Sequence, residues 1–389
     1  MLEWFDDFDG SAAAGAALSR AFEAHVAAVE ASADRADVEL VERVEREVAA
    51  APERAFRRDA TGRATLEAAG RRFQAGRFEV LRLCELRARA WDARARAGRP
   101  PARRRLWIFS GVSPATDIGA LQATAPPASM FQVASQFNCL ESPGAFVSPV
   151  HRYLTDPTQG PRAAISAFPA TLLRHYSAPG VDGRRFVQQN DGRQLDLLAD
   201  VCDPAVASVR NGYLRANDIA SPERFAQILE QRFEALAVGV HDDAEVVLGY
   251  NWAGAVPDAP HRTIAQTLTS TVAGGMYGEL SEDGPGVRIC RQLQRAAYLG
   301  TLLAAAALGQ RRVVLTLIGG GVFANPIALI WDAILWASDL VVDALHADLT
   351  ILVNGRTLEQ ELPRAELQRA AAERGGALVS FDRRGMTLG

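Results

Sequence analysis

Lysine is absent from this 389-residue chain, and all 42 of its basic residues are arginine. Without a side-chain amine the chain cannot form a lysine Schiff base or a Walker-type phosphate loop, because both depend on lysine. The four cysteines lie far apart, with no Cys-x-x-Cys pair and no Cys/His cluster. This spacing argues against a disulfide framework and a structural zinc site. We therefore expect no metal and no cofactor.

Long apolar runs and a strong net charge are also missing. No uninterrupted apolar segment approaches the ~20 residues needed to cross a bilayer. The start of the chain is acidic, unlike the basic-then-apolar order of a secretory signal. We therefore expect a cytoplasmic protein with no membrane partner. The formal net charge of -4 gives no electrostatic reason to expect a nucleic-acid partner.

The composition divides the chain into two regions. Residues 1–104 are dominated by strong helix formers, which predicts an N-terminal helical region with an amphipathic stretch over 63–98. The string Gly-Arg-Pro-Pro at 98–101 ends this region. Residues 105–389 alternate short apolar runs with helical stretches, which predicts an α/β domain with a largely buried sheet. The predicted strands are 106–109, 131–134, 236–240, 264–268, 313–318, 340–342 and 349–353, and the predicted helices are 161–176, 221–235, 286–308, 326–338 and 363–374.

A glycine-rich loop follows the apolar run 313–318. Gly319, Gly320 and Gly321 lead to a helix that begins near Pro326, and proline fits the first helical turn. Glycines let the backbone come close to a ligand. Exposed N–H groups at a strand-to-helix turn form an anion site that suits a diphosphate. For a glycine triplet alone, a tight turn without a ligand is the alternative.

The full string from Gly320 to Pro326 (GGVFANP) resembles the second ligand loop of macrodomains. The resemblance implies that Gly320, Gly321 and Val322 contact the diphosphate through their backbone. It also implies that Phe323 packs on the distal ribose. The departure from the pattern is Ala324, where macrodomains often carry glycine. Gly319 and Asn325, from the same loop, also belong to the predicted ligand-binding residues.

A second segment resembles the same family. Asp117-Ile118-Gly119 precedes a run that ends at Asn138. The resemblance implies that Asp117 contacts adenine and that Asn138 faces the distal ribose. The string 133–141 (VASQFNCLE) and the later string 153–161 (YLTDPTQGP) are similar to MavL-type ADP-ribosyl hydrolases, which remove ADP-ribose from arginine. Further segments that agree are 194–200, 211–213, Gln266 and Tyr277.

The resemblance covers roughly 105–355 and implies a macrodomain-like fold. Such a domain has three layers, with helices on both sides of a mixed sheet. It would bind ADP-ribose as ligand or product, and its partner would be an ADP-ribosylated protein. The predicted function is an ADP-ribosyl hydrolase that acts on modified protein side chains, arginine among them. A non-catalytic module that reads ADP-ribose is the main alternative, because a fold does not by itself confer catalysis. A structural or toxin–antitoxin protein is a third.

Carboxylates near the distal ribose carry the catalytic prediction. Cleaving the C1″ bond of ADP-ribose creates a cationic centre, which a carboxylate can stabilise while another activates water or protonates the leaving group. Glu141 and Asp156 are the candidate acids, with Asn138 beside them. Asp156 could instead cap a helix, and Glu141 could be a solvated loop acid. Asp191 and Asp196 are weaker candidates.

Amides and one aromatic residue complete the predicted site. Gln136 and Gln159 could hydrogen-bond a ribose hydroxyl or a guanidinium leaving group, or satisfy loop backbone instead. Gly160 follows Gln159 at the start of a predicted helix. Tyr277 lies in a glycine-rich loop that could close over the adenosine or the substrate, and core packing is the competing role.

Overall fold

The computed structural model describes residues 5, 11–31, 38–98, 102–111, 115–142, 146–190, 192–250, 262–275, 284–382 and 385–389. Their helices are α1 (Ala12–Ala31), α2 (Val38–Ala50), α3 (Pro52–Ala55), α4 (Leu83–Ala97), α5 (Ile118–Ala123), α6 (Gln159–Ser166), α7 (Phe168–Tyr176), α8 (Pro222–Gln231), α9 (Pro285–Leu308), α10 (Ile327–Leu340), α11 (Leu358–Glu361) and α12 (Arg364–Ala372). Their strands are β1 (Phe56–Arg58), β2 (Ala64–Ala68), β3 (Arg71–Arg82), β4 (Arg104–Gly111), β5 (Ser129–Ala134), β6 (Ala178–Pro179), β7 (Arg185–Phe186), β8 (Ala237–Glu245), β9 (Thr263–Thr269), β10 (Arg312–Leu315), β11 (Leu349–Asn354), β12 (Leu378–Asp382) and β13 (Gly385–Leu388).

Eleven of the described strands form one mixed sheet, in the order β1-β2-β3-β8-β9-β5-β10-β11-β4-β12-β13. The neighbours from β9 through to β12 pair in parallel, and the pairs at both flanks are antiparallel. The central strands are short apolar runs because parallel strands are covered on both faces. The remaining two strands, β6 and β7, form a separate hairpin.

Two apolar cores cover the two faces of this sheet. Side chains of a strand alternate between faces, so Trp107 and Phe109 enter one core while Leu106 and Ile108 enter the other. Helices α6 and α7 pack on the first face, and α9 and α10 pack on the second. The predicted three-layer α/β/α fold with a mixed sheet is confirmed. Among the described helices, none is long and apolar enough to cross a membrane.

The prediction of helices throughout 1–104 is wrong for residues 56–82, which form β1, β2 and β3. In β2 the buried residues are Ala64, Leu66 and Ala68, a period of two that belongs to a strand and not to a helix. Strand β3 pairs with β8 from Arg77↔Asp242 to Arg82↔Ala237. The sheet therefore crosses the predicted boundary at 104, and separate folding of 105–389 stays a prediction.

Two smaller differences concern strand ends. The run 340–342 is not a strand: α10 continues to Leu340 and a 3₁₀ helix, Val341–Ala344, follows it. Neither glycine nor proline interrupts the chain there, so helical structure continues through the β-branched residues Val341 and Val342. Strand β10 ends at Leu315, earlier than the predicted run 313–318. The other predicted strands and helices are present.

Gly76→Ala is expected to lower the stability of the fold far more than Gly70→Ala. Both glycines have positive φ, so each alanine costs about 1 kcal/mol of backbone strain. A Cβ at Gly76 would also lie 2.3 Å from the Asp242 carbonyl oxygen on β8, whereas a Cβ at Gly70 meets no atom within 4 Å. The clash adds about 1–3 kcal/mol, measurable by denaturant unfolding. Equal losses would contradict the docking of β3 on β8.

Candidate functional site

A cleft of about 430 Å³ opens at the carboxyl ends of the central parallel strands. Strands β5 and β10 end at Ala134 and Leu315, and the residues that follow each strand line the cleft. Carboxyl ends of parallel strands meet at one edge of a sheet, where α/β proteins bind ligands. The lining residues are Ala134, Ser135, Gln136, Glu141, Ser142, Asp156, Pro157, Thr158, Gln159, Gly160, Pro161, Tyr213, Thr271, Thr316, Leu317, Ile318, Gly319, Gly321, Val322, Phe323 and Arg356.

The glycine loop between β10 and α10 forms one side of the cleft. Within the described ranges, the backbone N–H groups of Gly321 and Val322 donate to no backbone acceptor. Gly321 is exposed, and a Cβ built on it would meet no atom within 4 Å. Open amides ahead of a helix attract anions because no carbonyl competes for them. This part of the loop can therefore bind a phosphate through its backbone.

Not every predicted ligand-binding residue of this loop lines the cleft. Asn325 is buried: its amide donates to the Val272 and Phe323 carbonyls, and its Oδ1 accepts from the side chains of Thr271 and Gln294. Gly320 lies against α10, where a Cβ would approach Ile327 to 2.9 Å. Asn325 and Gly320 thus hold the loop in shape, and their ligand contacts stay predictions.

Ala324, which stands where macrodomains often carry glycine, adopts a backbone conformation typical of glycine. Ala324 adopts φ +48°, in the left-handed region that favours glycine, and Gly319 adopts φ +75°. Ala324 donates its N–H to the Gly321 carbonyl, and Asn325 donates its N–H to the Gly319 carbonyl. These two bonds close the loop into a tight turn. The chain thus keeps the backbone conformation that glycine would adopt more readily and accepts strain at Ala324.

Two aromatic rings lie beside the loop. The ring centroids of Phe323 and Tyr213 are 5.9 Å apart and their planes are inclined by 59°. The Phe323 carbonyl accepts the N–H of Gly274, which fixes the backbone behind the ring. Val322 is 47% exposed at the cleft margin. Phe323 is thus placed where a sugar face could pack on it, as the macrodomain resemblance implies.

Glu141 lines the cleft and is only 2% exposed. Among the described residues, neither of its carboxylate oxygens has a hydrogen-bond partner. The nearest cation is the fully buried Arg174, whose Nη2 lies 3.7 Å from Glu141 Oε2, beyond hydrogen-bond distance. A buried carboxyl group with free oxygens is costly to retain for structure alone, so it marks a functional position. The prediction of a solvated loop acid does not fit this burial.

Burial raises the pKa of Glu141 to about 8, although Arg174 opposes the shift. Three donors of Arg174 are used elsewhere: Nε donates to the Cys139 carbonyl, Nη1 to His241 Nδ1 and Nη2 to the Thr171 hydroxyl. Burial lowers the pKa of His241 to about 3, so its neutral ring accepts from Arg174 and donates from Nε2 to the Ala75 carbonyl. Glu141 can therefore carry a proton at neutral pH, as a general acid must.

Two glutamines point unpaired atoms into the same region. Gln136 donates from Nε2 to the Ser142 carbonyl and the Tyr213 hydroxyl, while its Oε1 is buried with no partner in the described chain. Gln159 accepts the Ala134 N–H at 3.4 Å, and its buried Nε2 has no partner there either. A Cβ at Gly160 would lie 2.0 Å from the Ala134 carbonyl oxygen, so only glycine permits this approach of α6 to β5.

Asp156 is more exposed than Glu141. It is half-buried at the cleft and ends the 3₁₀ helix Val150–Thr155. Its Oδ1 accepts from the N–H and the hydroxyl of Thr158, at 2.8 and 2.5 Å. This is a side-chain turn ahead of α6, whose N-cap is Thr158, so Asp156 forms a turn and is not the helix cap that the sequence suggested as its alternative role. Its location in the cleft leaves the catalytic role open as well.

Several predicted residues lie elsewhere. Asn138 is buried and is not among the residues that line the cleft: its Oδ1 accepts the Leu140 N–H and its Nδ2 donates to Gln194, which gives it a loop-forming role, and its ribose contact stays a prediction. Asp117 caps α5 by accepting the Ala120 N–H and pairs with Arg162 at 3.2 Å, and it does not line the cleft. Its adenine contact stays a prediction. Tyr277 and Asp191 lie outside the described residues.

Arg356 is the functional candidate that the sequence reasoning missed. It is exposed, lines the cleft and lies close enough to lower the pKa of Asp117, although burial raises that pKa more. The signal was its position just after the buried strand β11, at the same sheet edge as the glycine loop. Its guanidinium suits a phosphate. Across the described ranges, no cluster of His, Cys, Asp and Glu could hold a metal ion.

No family model matches the chain, and no curated protein does. Solved structures of poly(ADP-ribose) glycohydrolases resemble it. The Thermomonospora curvata structure is 17% identical, covers 86% of this chain and 99% of its own, and has a TM-score of 0.43. The Deinococcus radiodurans structure in complex with ADP-ribose is 12% identical, covers 76% of this chain and 94% of its own, and has a TM-score of 0.40.

Glu141→Gln is expected to raise the melting temperature relative to the parent protein, by more at pH 9 than at pH 6. The folded pKa of Glu141 is raised to about 8, so the stability contributed by its protonated form is lost as pH rises through that value. Glutamine keeps the shape and cannot ionise. Thermal unfolding at several pH values gives the comparison.

Glu85→Gln is the matched control for this measurement. Hydrogen bonds from Arg82 lower the pKa of Glu85, so the stability contributed by its ionised form is already present at pH 6 and constant up to pH 9. The control should therefore show the same change in melting temperature at both pH values. A Glu141→Gln difference that is equally flat would show that Glu141 is ionised throughout this range.

Proposed function

We propose that the cleft binds ADP-ribose and hydrolyses the C1″ bond that joins it to a protein side chain. The observation that carries the proposal is Glu141, a buried carboxyl group whose two oxygens have no hydrogen-bond partner among the described residues, in a cleft bordered by groups that suit an anion. The Gly321 and Val322 amides and Arg356 suit the diphosphate, and Phe323 suits the distal ribose. With ADP-ribose bound in this way, we expect its C1″ atom to lie near the carboxyl groups of Glu141 and Asp156.

The chemistry follows from the raised pKa of Glu141. Where the leaving group is a hydroxyl oxygen, protonated Glu141 donates its proton to that oxygen while the C1″–O bond breaks. A water molecule then bonds to C1″ and releases a proton, which Asp156 accepts. The products are free ADP-ribose and the unmodified side chain. Exchange of one proton with solvent returns Asp156 and Glu141 to their starting states.

An arginine linkage is the finer part of the proposal. It is supported by the acceptors in the cleft, Gln136 Oε1 and the carboxyl groups of Glu141 and Asp156, which suit the N–H groups of a guanidinium. A docked guanidinium favours the ionised form of Glu141. The guanidine then leaves as a neutral group, and ionised Glu141 stabilises the cationic centre at C1″ instead of donating a proton.

The two linkages can be separated by their pH dependence. For a serine-linked substrate, hydrolysis needs protonated Glu141, so kcat/KM is expected to fall as pH rises through about 8. For an arginine-linked substrate this alkaline loss should be absent. A reader module would bind ADP-ribose and release none from either substrate, which is how that alternative would be recognised.

Gly321→Glu is expected to weaken ADP-ribose binding by at least about 10²-fold, because like charges brought together in a binding site cost several kcal/mol. The open space at Gly321 accepts the new side chain without a clash. Calorimetry with ADP-ribose and with AMP measures the effect. Val181→Glu adds the same charge at a fully exposed position outside the cleft and should bind normally. Unchanged affinity in a folded Gly321→Glu protein would remove the glycine loop from the binding site.

Glu141→Gln and Asp156→Asn are each expected to lower kcat by about 10²–10⁴-fold and to leave ADP-ribose affinity largely intact. Both replacements keep the shape of the side chain but cannot transfer a proton. Asparagine also preserves the turn to Thr158, so the melting temperature of Asp156→Asn should change little. Release of ADP-ribose from modified arginine and serine peptides provides the assay. Full activity in both variants would refute the catalytic assignment.

A further inference from the structure

Glu45 connects the N-terminal region to the 3₁₀ helix Val150–Thr155, which ends at the cleft. It belongs to α2 and is buried, and its carboxylate accepts four hydrogen bonds. Oε1 accepts the Val150 N–H at 2.6 Å and the Tyr176 hydroxyl at 3.0 Å. Oε2 accepts the His151 N–H at 2.9 Å and the His151 Nδ1–H at 2.7 Å. Glu45 thus binds the first two backbone amides of the 3₁₀ helix Val150–Thr155.

That 3₁₀ helix leads directly to both carboxyl groups of the cleft. Its Tyr153 is fully buried, and the tyrosine oxygen accepts the Glu141 N–H at 3.0 Å. Burial raises the pKa of Tyr153 and lowers that of His175 to about 3, so the hydroxyl keeps its proton and donates it to His175 Nε2 at 2.8 Å. The residue that ends the 3₁₀ helix is Asp156.

From these contacts we infer that Glu45 is a positioning residue for the site, an inference that rests on the proposed function. It fixes the start of the 3₁₀ helix, which sets Tyr153 under the Glu141 backbone and places Asp156 at the cleft. Loss of the carboxylate lets the 3₁₀ helix shift, and with it both acids. Residues before 104 thereby contribute to the geometry of a site formed entirely by residues after 104.

The role requires a carboxylate and not merely a polar group. All four partners of Glu45 are donors, and a carboxylate offers only acceptors. Glutamine would direct its NH₂ at one pair of donors and leave them unsatisfied in a buried place. Glu42 offers a matched control on the same helix, because it is about half exposed and pairs only with Arg46 among the described residues.

The test compares Glu45→Gln with Glu42→Gln. For Glu45→Gln we expect kcat to fall by about 10–10²-fold with little change in KM, because misplacing catalytic groups by about 1 Å has effects of this size. We also expect faster hydrogen exchange in peptides that cover 146–156 and 136–142, since their amides lose protection when the 3₁₀ helix loosens. Glu42→Gln should match the parent protein in both measurements.

The exchange measurement does not depend on catalysis, so the two proposals can fail separately. If the parent protein hydrolyses no ADP-ribosyl linkage, the proposed function fails, and unchanged exchange over 136–142 in Glu45→Gln would overturn the positioning role as well. If Glu45→Gln does not fold, the same two measurements are made on Tyr153→Phe. This variant removes the hydroxyl link to Glu141 and leaves Glu45 in place. A folded Glu45→Gln protein with parental kcat and parental exchange would overturn the inference.

Discussion

The buried guanidinium of Arg174 is the interaction on which the cleft depends. It joins three parts of the chain that are distant in sequence, through the Cys139 carbonyl, the Thr171 hydroxyl and His241 on β8. A positive charge in a closed interior is costly without such partners. Arg174 Nη2 also lies 3.7 Å from Glu141 Oε2, an ion-pair distance that is too long for a hydrogen bond. The acid is thereby held near a cation and remains available to a ligand.

The polar residues around the cleft fall into two groups by whether their hydrogen bonds are complete. Asn325 and Asn138 have their amide groups engaged and lie outside the cavity, where they fix the shapes of the two loops. Glu141, Gln136 and Gln159 keep buried atoms without partners in the described chain and line the cavity. Loop shape and ligand contact are thus assigned to different side chains. Both kinds of residue occur in the same sequence motifs, which is why a motif alone does not separate them.

The parallel centre of the sheet was predictable from sequence because its strands are apolar on both faces and are punctuated by glycine and proline. The same holds for the glycine loop, whose composition limits the backbone it can form. Strands β1–β3 were not predictable in this way, since arginine, alanine and glutamate at their exposed positions are also strong helix formers. Pairing with β8, far away in the sequence, overrides that local preference. Arg174 carried no local signal, and Arg356 only its position after an apolar run, because the importance of both comes from what the fold brings near them.

The position of β4 in the sheet has a consequence for synthesis on the ribosome. β4 ends at Gly111, yet its neighbours β11 and β12 begin only at Leu349 and Leu378. At about 5–20 residues per second, the roughly 240 residues in between take about 12–50 s to emerge. During that interval both edges of an apolar strand remain unpaired, a state that invites aggregation. The nascent chain is therefore expected to need chaperone protection until β11 and β12 have been translated.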